Sequence, residues 1–368
     1  MMADVPHNRP AADVLIVGQG VAGSVLALTL LQRGLRVRVV SSASVPSASG
    51  VAAGIVNPLT GRKLVKTWLA DQLFPYLHHF YSAADQQLSG GRSGTSFFTP
   101  LDVYRPYRDA AEQTAYERAV ADPALARYVT IQPDNAQYGA VVSNPFGGLQ
   151  VTGAGWVDLP RFITAVRDWL GAQGLFQHAD VSANDLQIRP DGVTYNGQAF
   201  RYVIFCEGPH GAANSFFDWL PYSLVKGEVL TAEVDTYPVT NIINQGVFVL
   251  PLSAESGRYR LRIGATYAWD NLDWQTTEAG RSFLETKARQ LLTIPFRVVD
   301  QQAGIRPSTK DRRPFVGWHP TYPAVGIFGG MGTKGVSLAP YLAHNLANHL
   351  TVGEEIEPAV QITRFQAL

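Results

Sequence analysis

Glycines at fixed spacing constrain this chain more than any other feature. After the compact apolar run Asp13–Val17 come Gly18, Gly20 and Gly23. A short β-branched run that ends in a turn signal predicts a buried strand. Val21 to Arg33 is apolar and free of proline, and Gly34 stands where a helix C-cap belongs. Val37–Val40 is the second predicted strand. Near the other end, "GIFGGMGTKGVSLAPYLAHNLANHL" (326–350) repeats the order of strand, glycine turn and helix. An open parallel sheet brings both turns to the carboxyl ends of its strands, where α/β folds bind ligands. The predicted class is α/β. The alternating stretch from Gly227 to Thr266 adds a second, antiparallel α+β layer.

Between these landmarks the patterns are plainer. Pro46–Gly61 is rich in Ser, Ala and Gly and predicts a loop. Lys63–Gln87 predicts a helix, and a further helix is expected near Ala110–Ala121. "GWVDLPRFITAVRDWLGAQG" (155–174) predicts an amphipathic helix capped by Asp158. "YVIFCEG" (202–208) predicts a buried strand, and Glu278–Leu292 a helix. No internal repeat or low-complexity linker interrupts the chain.

Composition narrows the function classes. Lys+Arg and Asp+Glu both number 30, so the chain is not built to track a nucleic-acid backbone. The single cysteine, Cys206, rules out an intrachain disulfide and a Cys-rich metal site, and favours a reducing compartment. The first residues lack the apolar run of a signal peptide, and no apolar stretch near them spans a bilayer. The expectation is a cytoplasmic protein with no membrane association. His78 and His79 cannot share a helix face, and His344 and His349 are wrongly spaced for a helical metal pair. No metal set, nucleophile elbow or Ser–His–Asp pattern is present.

The first glycine turn fits a dinucleotide. Gly18 permits the tight turn, Gly20 lets backbone approach a pyrophosphate, and Gly23 lets the helix pack on the strand. The helix start at Val21 and Ala22 supplies N–H donors and a favourable dipole. The end of the second strand usually carries an acid for the ribose. Here Ser41 stands there, 23 residues after Gly18, followed by Ser42. Exchanging a charge-assisted hydrogen bond for a neutral one loses about 1–2 kcal/mol, or roughly ten- to thirtyfold in affinity. NAD, with few other contacts, would suffer most. No Arg follows Ser41 directly to take a 2′-phosphate, so NADP is not favoured. FAD, buried along its whole length, absorbs the loss.

Five further stretches carry a resemblance. "SASGVAAGIVNP" (47–58), "LVKGEVL" (224–230), "GATYAWDNLDW" (264–274), "AGIRPSTKDRRPFVG" (303–317) and "GGMGTKGVSLAP" (329–340) resemble, in order, the D-amino-acid oxidase and glycine oxidase superfamily of FAD-dependent oxidoreductases. The resemblance runs from about Asp13 to Leu350. It implies a Rossmann-like FAD-binding domain over 1–88, 151–222 and 304–368. An interleaved antiparallel-sheet substrate domain is implied over 89–150 and 223–303. It places Ala52, Ala53, Gly54 and Ile55 against the flavin, Val181 at the adenine side, and Cys206 and Gly208 at the turn after a central strand. Glu207 is an unusual occupant of that turn. Gly330, Met331, Gly332, Thr333, Lys334 and Gly335 are implied to direct backbone N–H groups at the flavin, which stabilises its reduced anion. Cys206 lies in the wrong segment for a covalent flavin link, so FAD is expected to be non-covalent.

The same resemblance implies that Arg306 clamps a substrate carboxylate. A bidentate guanidinium–carboxylate pair fixes both position and plane, and holds the amine-bearing carbon for hydride transfer to flavin N5. Phe248 stands where glycine oxidases place a carboxylate-binding Tyr, and Thr333 where they place a second Arg. Tyr267 is the candidate to replace the lost hydroxyl. The implied activity is oxidation of the C–N bond of a small-molecule amino acid or secondary amine, with oxygen or another electron acceptor. "NPLTG" (57–61) and "GMGTKGVSLAP" are also similar to the oxidase half of the bifunctional tRNA wobble-uridine modification enzyme. The basic stretches "GRKLVK" (61–66) and "KDRR" (310–313) are the features that favour such a substrate. Ser41, Glu207 and Phe248 also leave open a catalytically inactive FAD-fold scaffold.

Overall fold

The structure, a computed structural model of the chain, describes residues 12–61, 63–89, 96–131, 135–255 and 257–366. These form two compact units. One comprises Met1–Ser47 (described from Ala12), Ile163–Leu224 and Pro307–Leu368; the other comprises Ala48–Phe162 and Val225–Arg306.

In the first unit the strand Ala12–Val17 pairs in parallel with Val37–Ser41 on one side and Gln198–Phe205 on the other. Phe176–His178 extends the sheet beyond Val37–Ser41, and Val325–Gly329 extends it beyond Gln198–Phe205, both in parallel. Gly192–Tyr195, Leu186–Arg189 and Phe315–Trp318 add antiparallel strands. Val14, Leu15 and Ile16 are fully buried, as the continuous apolar run of a two-sided parallel strand requires. The helix Val21–Gln32 is buried without a break from Ala22 to Leu30. It packs against the helix Gly335–Val352. Gly34, at φ 80°, ends the first helix, its N–H donating to the Leu31 carbonyl at 3.0 Å.

The second unit is built on an eight-stranded sheet. Its order is Arg297–Arg306, Val225–Val234, Arg258–Gly264, Val247–Glu255, Ile242–Gln245, Val103–Pro106, Gly148–Val151 and Val129–Ile131. Every pairing is antiparallel except that of Ile242–Gln245 with Val103–Pro106. One face is apolar: Leu230, Ala232, Leu261 and Ile263 pack with Leu284, Ala288 and Leu291 of the helix Glu278–Leu291. Thr277 caps that helix by accepting the Gly280 N–H at 3.0 Å, and its own hydroxyl donates to Glu228 at 2.7 Å. A smaller sheet joins Ile55–Val56, Gly155–Val157 and Phe98–Pro100.

Several expectations shift. The helix expected from Lys63 starts at Ala70, because Leu64 and Leu69 sit at φ 51° and 52° and Leu59–Thr60 pairs with Val65–Lys66. The expected loop at 46–61 includes a short helix, Ala48–Val51. Residues 155–174 divide into the strand Gly155–Val157 and the helix Leu159–Ala172, with Asp158 accepting the Arg161 N–H at the junction. The strand expected at 202–208 runs from Gln198 to Phe205. The unit boundaries also differ from those the resemblance implied. Residues 48–88 and 151–162 belong to the second unit, since Ile55–Val56 pairs with Gly155–Val157, which in turn pairs with Phe98–Pro100 there. No described helix is long and apolar enough to cross a membrane.

Candidate functional site

Three turns of the first unit follow the carboxyl ends of three adjacent parallel strands. They start at Gly18 after Ala12–Val17, at Cys206 after Gln198–Phe205, and at Gly330 after Val325–Gly329. Gly18 has φ 99°, and a Cβ there would stand 2.5 Å from the Cys206 carbonyl oxygen. A Cβ on Gly23 would meet the Gly18 carbonyl oxygen at 1.9 Å. Both glycines are thus dictated by backbone packing. Gly20 is the N-cap of the first helix and offers no side chain to it, which leaves that helix start suited to an anion. Gly330 and Gly332 have φ 65° and 58°. The Gly332 N–H donates to the Pro307 carbonyl at 3.0 Å, Met331 is buried, and Thr333 is exposed. Lys334 is the N-cap of the last helix and Gly335 its first residue. Burial, with Arg313 nearby, holds the Lys334 ammonium below the ordinary lysine range.

Ser41 turns back onto the first turn: its Oγ accepts the Gln19 N–H at 3.3 Å, and the hydroxyl hydrogen remains available to a further acceptor. Ser42 Oγ accepts instead from the N–H groups of Ser44 and Val45. Val181 follows the strand Phe176–His178 and packs half-buried on the core of this unit. Cys206 is buried, and burial pushes its thiol pKa well up. Gly208 has φ 59°. Glu207 accepts a hydrogen bond from Asn214 at 2.7 Å, and burial raises its pKa against that bond and the nearby His210.

In the second unit Arg306 ends the strand Arg297–Arg306. Its guanidinium lies across Gly227, where a Cβ would stand 2.1 Å from Nη2. Nη1 donates to the carbonyls of Lys226 and Thr266, and Nη2 to Thr266, at 3.2–3.3 Å. The Tyr267 ring stacks on it with 4.3 Å from Cζ to the ring centroid. Burial lowers the Arg306 pKa and Tyr267 opposes that shift. No carboxylate of the described residues pairs with it. The Nε hydrogen and one Nη2 hydrogen remain unused, and these form the edge that grips a carboxylate side-on. Tyr267 is 58% exposed and stacks on Trp269, itself 60% exposed. Phe248 sits opposite Gly264 with its ring in the glycine's lateral space, within an apolar cluster. The loop Ala52–Gly54 leads into Ile55. Gly54 has φ 72°, and a Cβ there would meet the Val157 carbonyl oxygen at 1.9 Å.

Sequence reasoning passed over a cavity of about 420 Å³ in this second unit, lined by Ala52, Ala53, Trp156, Thr231, Arg262 and Asp300 among others. A signal was present. In "RYRLRIG" Arg258, Arg260 and Arg262 alternate with Tyr259, Leu261 and Ile263. A two-residue period places the arginines on one sheet face, opposite the apolar face that meets the helix Glu278–Leu291.

Residues 13–349 match the model of the family described as DAO, FAD dependent oxidoreductase. The tRNA 5-methylaminomethyl-2-thiouridine biosynthesis bifunctional protein MnmC of Idiomarina loihiensis is 26% identical over 367 residues, which cover 95% of this chain and 57% of that protein. The chain therefore spans little more than half the length of this relative. A glycine oxidase of Geobacillus kaustophilus is 25% identical over 359 residues, 89% of this chain and 90% of that one. Among solved structures, glycine oxidase from Bacillus cereus ATCC 14579 superposes with a TM-score of 0.76 at 19% identity, over 94% of this chain and 96% of that one. Iminodiacetate oxidase from Chelativorans sp. BNC1 gives 0.74 at 18% identity, with the same coverage. These last two likenesses are likenesses of fold.

Proposed function

The chain belongs to the FAD-dependent oxidoreductase family, with FAD as its cofactor, and on that premise we propose that it oxidises the C–N bond of a small amine that carries a carboxylate. The observation that carries this is the half-buried Arg306 edge with two unused donors and no carboxylate partner among the described residues. A buried cation without a counter-charge is costly, and a substrate carboxylate relieves that cost. The carbonyls of Lys226 and Thr266 and the Tyr267 ring fix the plane of the guanidinium, so a bound carboxylate is oriented as well as held.

The first unit fits FAD. Its three positive-φ turns and the side-chain-free helix start give close backbone approach and N–H donors. Gly18, Gly20, Val21, Ala22 and Gly23 would hold the pyrophosphate, Ser41 the ribose, and Val181, Cys206 and Gly208 the adenosine half. The turn Gly330 to Gly335 would supply N–H groups to the ring system, except those of Gly332 and Lys334, which donate to the Pro307 and Met331 carbonyls. When bound, FAD supplies the two-electron acceptor that such an oxidation needs. Ser41 meets the ribose as a neutral donor, already anchored by Gln19.

The test is turnover of a panel of amines and amino acids by flavin-loaded protein. Arg306→Lys keeps the charge but loses the planar fork. Its kcat/KM is expected to fall by about 100-fold while the visible flavin spectrum stays unchanged. Equal turnover of the best substrate would overturn the clamp.

One observation favours a narrower substrate, an amine carried on a modified nucleoside. Exposed Tyr267 and Trp269 stack in series with Arg306, and aromatic faces of that kind accept a planar base. The similarity to MnmC points the same way. Against it, Lys66 of the first basic stretch is paired with Asp71. Retention on immobilised tRNA at physiological salt distinguishes the two substrates.

A further inference from the structure

The sheet face that carries Arg306 continues into the cavity of about 420 Å³. Four charged side chains line that cavity: Asp158, Arg260, Arg262 and Asp300. Two are already engaged. Asp158 accepts the Arg161 N–H at a helix start, and Arg260 lies 3.8 Å from Glu233. The other two keep unused charged groups. Arg262 uses only Nη1, which donates to Gln302 Oε1 at 2.9 Å and to the Val51 carbonyl at 3.4 Å. Its Nε and Nη2 hydrogens have no partner among the described residues. The Asp300 carboxylate accepts no hydrogen bond and joins no ion pair among them.

Strand register sets the spacing of the two residues. Thr231 pairs with Asp300 on one side and with Arg262 on the other. Directly paired Cα atoms stand about 4.5–5.5 Å apart, so the Cα atoms of Arg262 and Asp300 flank Thr231 at roughly 10 Å from one another. Burial lowers the Arg262 pKa, and Asp300 and Asp158 oppose that shift. A ligand with only a carboxylate would meet Arg262 but face two acids. A ligand with only an ammonium would meet the acids but face two arginines. A ligand with both charges satisfies both walls. Trp156, Leu250 and Leu252 supply an apolar wall beside them. The volume lies within the range of small-molecule sites.

We propose that this cavity binds a free amino acid with an apolar side chain, its carboxylate on the Nε–Nη2 edge of Arg262 and its ammonium on Asp300. The site is independent of the Arg306 clamp. Its occupant is recognised by the pair of charges, so neither half of the zwitterion alone is a good ligand.

The test is titration calorimetry of the flavin-loaded Arg306→Leu protein at pH 7, which removes the proposed clamp as a competing site. Three probes are compared: leucine as each enantiomer, 4-methylpentanoate, which lacks the ammonium, and 3-methylbutylamine, which lacks the carboxylate. One enantiomer of leucine is expected to bind at about one per chain, and each truncated probe at least about tenfold more weakly. Asp300→Asn, a change at an exposed side chain, is expected to weaken leucine by about tenfold and leave 4-methylpentanoate no weaker. Arg262→Gln is expected to weaken both leucine and 4-methylpentanoate. Binding of 4-methylpentanoate as tight as leucine, or indifference of leucine to Asp300→Asn, overturns the proposal. So does loss of all leucine binding in Arg306→Leu, which would leave the clamp standing. Undiminished turnover by Arg306→Leu would instead sink the clamp and leave the cavity untouched.

Discussion

Gly227→Ala disturbs Arg306 without altering a single atom of it. The added Cβ would stand 2.1 Å from Nη2, 2.4 Å from Cζ and 2.5 Å from Nη1. Ordinary contact begins near 3.4 Å, so the guanidinium must retreat by about 1.3 Å. Gly227 lies within the regular strand Val225–Val234 and is not among the glycines at positive φ, so alanine imposes no backbone strain there. The retreat pulls the guanidinium off the carbonyls of Lys226 and Thr266 and turns the free Nε–Nη2 edge. A misplacement of about 1 Å costs roughly 100-fold in rate, equivalent to about 2.7 kcal/mol of lost transition-state stabilisation. The assay is steady-state kinetics on the best amine substrate, with a non-reactive carboxylate as competitive inhibitor. KM and the inhibitor constant are both expected to rise, and kcat to fall. A folded Gly227→Ala protein whose kcat/KM and inhibitor constant stay within twofold of the parent would refute the carboxylate clamp, whatever Arg306 does for stability.

Two further outcomes follow from the first unit. Gly18→Ala places a Cβ 2.5 Å from the Cys206 carbonyl oxygen at a φ of 99°. The purified protein is expected to lose its visible flavin absorbance while keeping its far-ultraviolet circular dichroism, and full flavin retention would contradict the proposed pyrophosphate turn. Glu207 has its pKa raised from 4.5, first by burial, so the fold favours the protonated acid. That contribution is complete below pH 4.5 and is lost as pH rises through the raised value. Glu207→Gln is therefore expected to match the parent in thermal stability at low pH and to exceed it above that window. A difference that does not vary with pH would refute this assignment.

The sequence was most legible where local chemistry and global packing agree. The glycine turns at Gly18 and Gly330 were visible because both sit at positive φ, and a Cβ would meet the Cys206 backbone at the first and the Thr309 and Phe315 side chains at the second. The helix Glu278–Leu291 and the antiparallel middle strands were visible through apolar periodicity. Where conformation depends on distant partners, the pattern misled. Leu64 and Leu69 look helical by composition yet adopt left-handed backbone, held by the hairpin of Leu59–Thr60 with Val65–Lys66. Residues 48–88 carried no mark of the unit they would join, because that is decided by pairing of Ile55–Val56 with Gly155–Val157 a hundred residues on. At the candidate site Arg306 stood out by resemblance, and Arg262 stood in plain alternation. What made Arg262 notable, its separation from Asp300 across Thr231, is a matter of register between strands and is absent from any one stretch of sequence.

The helix Val21–Gln32 is apolar on all sides and finds part of its cover in Gly335–Val352, some three hundred residues later. During synthesis the first helix therefore emerges long before its partner exists. A ribosome adding about 5–20 residues per second leaves it waiting for tens of seconds. Long-range closure of this kind slows folding and exposes sticky surface. The third glycine turn joins its row only at that moment, so a flavin site that uses all three turns would assemble late.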